Sequence, residues 1–125
     1  MAQSTVLTLI PQTPHAGSNS INLVGDKKQA ASYIKASSNI QTIIWNVGAN
    51  IKGMAPSYFI GNIVIQASLS TTPGVFDWFD VFNIPIESNV SGQSGYHNLI
   101  GNYVWVRVTV TNWVAGPIQS ITMSY

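Results

Sequence analysis

The sequence predicts an all-β fold, a single antiparallel β-sandwich, jelly-roll-like, with about eight short strands. Three observations point there. First, 12 Val, 15 Ile and 9 Thr stand against 5 Leu and a single Glu, so β-branched residues abound while good helix formers are scarce. Second, apolar residues recur with period two, and no segment keeps an apolar face at helical spacing over three turns. Third, the 10 Gly and 6 Pro fall mostly between apolar runs, where turns belong.

Taken in order, Thr5 to Ile10 reads as a first strand, TVLTLI, followed by an extended stretch through Pro11, Pro14 and Gly17. Residues 1–17 can thus form an arm that pairs with another chain's sheet edge, making Thr5, Leu7 and Leu9 candidate contacts. The simpler reading, and the preferred one, is that the same strand opens the chain's own sandwich. Residues 18–125 form the sandwich domain. Ser20 to Val24, Ser32 to Ala36 and Gln41 to Val47 read as strands. Gly61 to Leu69 alternates, with Ile63, Ile65, Ala67 and Leu69 on one face. Asp77 to Ile84 is the next strand, and Ser88 to Gly95 is a polar loop long enough to lie on a neighbour, offering Ser91 and Ser94 as contacts.

The clearest strand runs from Asn102 to Trp113. Val104, Val106, Val108 and Val110 form one face and belong to the core. Tyr103, Trp105, Arg107, Thr109 and Thr111 form the other, which faces solvent, a ligand or a partner. Finally Ile118 to Tyr125 alternates at Ile121, Met123 and Tyr125. Ile118 is out of phase, so a bulge is expected near Gln119 and Ser120.

Charge is the compositional anomaly. Charged residues are 7% of the chain, where about 25% is usual, and the net charge is +1. Ser, Thr, Asn and Gln supply the polarity instead, 41 of 125 residues. Five scattered cations cannot make the phosphate contacts that dominate nucleic-acid affinity, so no nucleic-acid partner is expected. The longest apolar runs fall short of a transmembrane helix, so no membrane partner is expected either. With no Cys there is neither a disulfide framework nor thiolate chemistry.

The ionisable groups give no catalytic constellation. Asp77 and Asp80 would point to opposite faces of a strand and would not converge. No nucleophile-elbow motif accompanies His97, and His15 lies far from it in sequence. No catalytic residue, metal ligand or cofactor is assigned, and the chain is read as non-enzymatic. Trp105 and Arg107 are candidate glycan contacts, since sugar sites combine an aromatic face with hydrogen-bonding side chains; the duller roles are core or interface burial for the tryptophan, and for Arg107 either an ion pair to Asp77 or Asp80 or a cation–π contact.

The C-terminal half carries a resemblance. GNIVIQASLSTTPGVFDWFDVFNI and GNYVWVRVTVTNWVAGPIQSITMSY resemble small β-sandwich virion proteins of tailed bacteriophages, including those of cyanobacteria. The matching positions are Gly61-Asn62, Trp78-Phe79-Asp80-Val81, Gly101-Asn102 with Trp105 and Arg107, and Gly116 through Tyr125, so roughly residues 60–125. The resemblance implies a structural role in the virion, assembled in the host cytoplasm. Capsid decoration (a cement protein) is the leading expectation; a tail, neck or baseplate component and a glycan-binding module are the others. The implied partners are copies of the chain itself, as a trimer or other homo-oligomer, and the major capsid or tail protein. A charge-poor surface agrees, because neutral amides and hydroxyls are cheaper to bury than unpaired charges.

Overall fold

The computed structural model describes residues 6–15, 21–25, 27–29, 40–48, 58–87, 93–101 and 103–125. Among them the strands are β1 (Val6–Ile10), β2 (Ile21–Val24), β3 (Lys28–Gln29), β4 (Ile40–Val47), β5 (Ile60–Ser68), β6 (Phe79–Glu87), β7 (Gln93–Ile100), β8 (Trp105–Ala115) and β9 (Ile118–Ser124). They form two antiparallel sheets. Sheet I has the order β1-β9-β4-β7, and sheet II the order β2-β8-β5-β6, with the short β3 also against β8. The pairing is nested: β1 meets β9, β2 meets β8, β4 meets β7 and β5 meets β6. Contacts of β4 with β9 and β5 with β8 close each sheet.

The inner faces bury most of what the period-two pattern assigned to them, although Val104, expected in the core, is only half-buried because β8 begins at Trp105. Sheet II contributes Ile63, Ile65, Val106, Val108 and Val110, and sheet I contributes Ile43, Val47, Leu99, Ile121 and Met123. Each such side chain stabilises the fold by roughly 1.5–3 kcal/mol. The expected bulge in β9 is present. Asn46 pairs with Ser120 but Val47 with Ile118, so Gln119 is the extra residue and both Ile118 and Ile121 reach the core. Its amide Nε2 donates to the Gly48 carbonyl at 3.0 Å. A second irregularity in β1, between Thr8 and Ile10, lets Leu9 and Ile10 both point inward.

Four further sequence expectations are corrected. Leu9 is 0% exposed in its own chain's core, and β1 pairs with β9, so Leu9 is not free to contact a neighbour. Leu69 is 63% exposed, because β5 stops at Ser68, whose hydroxyl accepts the Ser70 N–H at 3.1 Å. β6 begins at Phe79: Val75–Asp77 instead forms a 3-10 turn, held by the Gly74 N–H donating to Asp77 Oδ2 at 2.7 Å. Lastly, the end of the expected polar loop belongs to strand β7, which lies against β4 over all eight of its residues. Thr5, Ser91 and the expected strand over 32–36 lie outside the described residues.

Gly95 of β7 shows how tightly the two faces are fitted. It lies opposite Trp45 of β4, and a Cβ placed there would come within 2.4 Å of Trp45 Cζ2. Gly95→Ala should therefore cost about 1–3 kcal/mol by overpacking. In a Trp45→Phe background the same change should cost clearly less, since the colliding part of the indole is gone. Urea denaturation of the four proteins of this cycle checks it; equal costs in both backgrounds would reject the steric account.

Candidate interaction surface

The charged side chains are not spread evenly. Among the described residues they are Lys27, Lys28, Asp77, Asp80, Glu87 and Arg107, and each sits on a strand of sheet II or on a connection to one. The strands of sheet I, VLTLI, IQTIIWNV, QSGYHNLI and IQSITMS, carry none.

Register assembles the outer face of sheet I from these strands. Val6, Ser124, Thr42 and Asn98 form one cross-strand row, and Thr8, Thr122, Ile44 and Tyr96 the next. Ser120, Asn46 and Ser94 form a third, and Ile40 faces Ile100 at one end of the β4–β7 ladder. Thr42 Oγ1 donates to Asn98 Oδ1 across the strands at 2.8 Å. The apolar members Val6, Ile40, Ile44, Tyr96 and Ile100 are all exposed, Tyr96 by 69%. Between Ile44, Tyr96 and Gly95, flanked by amides and hydroxyls, lies a shallow groove of about 670 Å³. Exposed aromatic and aliphatic groups on a face without charge make a surface that water solvates poorly and a neutral partner can cover.

The outer face of sheet II is built differently. Val64, Ser68 and Thr109 on it are already buried. Trp105 Nε1 donates to the Thr71 carbonyl at 3.2 Å, and Lys27 Nζ lies 5.5 Å from the Trp105 ring centroid. Arg107 stacks its guanidinium 4.2 Å from the Trp78 ring centroid and donates through Nε to Gln66 Oε1 at 2.8 Å. Gln66 Nε2 in turn donates to Asp80 Oδ1 at 2.8 Å. Arg107 thus makes the cation–π contact expected of it. Its link to Asp80 runs through Gln66 rather than as a direct ion pair. Burial lowers the Arg107 pKa below its ordinary value, though a guanidinium stays charged.

The sequence-predicted residues therefore separate. Trp105 and Arg107 lie on β8 of sheet II, but Tyr103 is corrected: it precedes that strand and packs against the hydrophobic core, its ring 6.2 Å from that of Phe79. Leu7, like Leu9, is corrected: it is half-buried opposite Met123 and packs against its own chain's core, while Ser94 stands exposed on sheet I opposite Asn46. His97 stacks on Phe82 at 3.7 Å, joining the edges β7 and β6 of the two sheets, while His15 Nε2 donates to the Trp113 carbonyl at 2.9 Å. Among the described residues no three or more His, Cys, Asp or Glu gather as metal ligands would. Ile44, Tyr96 and Ile100 were not singled out from sequence. The signal was the absence of charge from four segments, legible only once those segments are known to be one sheet.

Comparison of the chain with protein-family models, with curated proteins and with solved structures found no match.

Proposed function

We propose that the chain is a non-enzymatic structural protein of a bacteriophage particle, with capsid decoration as its role. The observation that carries this reading is the uncharged outer face of sheet I. A permanently covered surface pays desolvation for every charge it buries, and this face has none to bury. The resemblance of residues 60–125 to small virion proteins supplies the kind of assembly. The nested pairing of strands, first with last through fifth with sixth, supports reading the sandwich as a jelly roll. In this role the chain acts as a homo-oligomer on the major capsid protein, within a virion assembled in the host cytoplasm. The glycan reading has less support, since Trp78 and Trp105 each hold a cation of their own chain over the ring.

Imaging of intact particles carrying the chain tests the proposal. Density for the sandwich at symmetric positions over the whole shell is the expected result. Density confined to the neck, tail or baseplate would move the role there, and particles lacking the chain would overturn it.

A further inference from the structure

The most exposed apolar residues of the described chain lie at the tip of the β5–β6 connection. Val75 is 86% and Phe76 98% exposed. The 3-10 turn that carries them buries none of its residues, yet it is firmly built. Asp77 N–H donates to the Gly74 carbonyl at 3.2 Å, and the Asp77 carboxylate turns back to accept the Gly74 N–H at 2.7 Å. The stem is tied by Trp105 Nε1 to the Thr71 carbonyl at 3.2 Å. An aromatic residue displayed on a turn already held in shape has the attributes of a binding anchor, because little ordering entropy remains to be lost when it docks.

We propose that this tip docks into the Ile44–Tyr96 groove on sheet I of a second copy of the chain. This rests on reading the uncharged face as a covered surface. Three features of the molecule select a second copy as the occupant. The groove offers only Ile, Tyr, Asn, Ser, Thr and Gly, so a charged partner would bury its charge there without a counter-ion. The two outermost side chains of the tip, Val75 and Phe76, are apolar and neutral, and they enter the groove while the exposed Asp77, its Oδ2 held by the Gly74 N–H, keeps its charge in water at the rim. The groove, about 670 Å³, is also roomy enough for both side chains. The tip extends from strands of sheet II and the groove lies on the outer face of sheet I, so the two sites are different patches of one molecule. Such a head-to-tail contact closes into a ring or runs on as a filament. A closed ring is the form that suits a repeated attachment point.

Light scattering coupled to size-exclusion chromatography, on the full chain over a range of concentrations, tests this. Wild type is expected to be oligomeric. Phe76→Glu removes the tip and Tyr96→Glu spoils the groove; each should be monomeric, with association weakened about 30-fold or more, as for an interface hot spot. Both positions are exposed, so thermal melting should match wild type; if either variant is unfolded, Phe76→Ser and Tyr96→Ser replace the pair. Mixing the two variants should yield a one-to-one heterodimer, because one intact tip then meets one intact groove. A monomeric wild type, a variant that keeps the wild-type oligomer, or a mixture that stays monomeric would each overturn the contact. A monomeric wild type that nevertheless decorates particles would overturn this contact while leaving the virion role standing; an oligomer absent from particles would do the reverse.

Discussion

Gly116→Ala is expected to destabilise the sandwich by about 3 kcal/mol or more, a large share of the roughly 5–15 kcal/mol that holds a domain of this kind together. Gly116 and Pro117 are the entire link by which the chain leaves β8 in sheet II and enters β9 in sheet I. The corner this makes is held from several sides. Trp113, 1% exposed, donates its indole N–H to the Gly116 carbonyl at 2.7 Å, and Gly48 N–H donates to the Pro117 carbonyl at 2.7 Å. Just beyond, Ile118 and Thr13 exchange two backbone hydrogen bonds of 2.8 and 2.9 Å. Gly116 has φ +83°, and a Cβ there would stand 2.1 Å from the Tyr58 carbonyl oxygen and 2.8 Å from Phe59 Cα. The left-handed backbone costs a side chain about 1 kcal/mol or more. The collision adds about 1–3 kcal/mol, towards the upper end because the obstructing atoms are backbone and cannot swing aside. Urea denaturation should show a lower midpoint with an unchanged slope. Gly74→Ala is the control: its Cβ would meet only Asp77 Oδ2, at 3.5 Å, so its effect should stay within about 0.5 kcal/mol. A Gly116→Ala protein as stable as that control would refute this account of the corner.

The strands that could be read from the sequence are those with one buried and one wet face. In β8 each valine from Val106 to Val110 alternates with a residue of another kind, and the structure buries all three valines. The out-of-phase Ile118 likewise announced the bulge at Gln119, because two apolar residues three apart reach one face of a strand only if a residue is inserted. β7 hid itself by the same logic. Gln93, Ser94, Gly95, Tyr96, His97 and Asn98 lie on an edge strand, where only Leu99 is buried, so no apolar period marks them. The glycine read as loop punctuation at 95 is there to make room for Trp45 across the ladder. The candidate surface was harder still. Its rows join Thr8 to Thr122, Ile44 and Tyr96, four positions drawn from both ends and the middle of the chain. Low overall charge could be counted, but the placing of every charged side chain among the described residues on the side of sheet II depends on these long-range pairings.

The uncharged strands of sheet I lead to the second large effect. Ile44→Lys and Ile44→Glu should both fold and both fail to join the particle. Ile44 lies at the centre of the outer face of sheet I, paired with Tyr96 on one side and Thr122 on the other, and it is exposed in the isolated chain. Either charge therefore stays in water until the face is covered. On covering, it has no counter-ion within sheet I, and a buried unpaired charge costs several kcal/mol. At 1.4 kcal/mol per factor of ten, attachment should fall by about 100-fold or more, measured as copies retained on purified particles. The insensitivity to sign is the informative part. A face that met a charged partner would reject one variant and tolerate or favour the other. Glu87→Gln, on sheet II, should leave the copy number at the wild-type level. The same reasoning sets the response to salt. Screening weakens contacts between exposed charges, so an interface without charge should hold its copies through a wash at about 1 M salt, where the Debye length is near 3 Å. Release of the wild-type chain by that wash, or loss of only one of the two Ile44 variants, would show that charge on the partner holds this face and would defeat the reading.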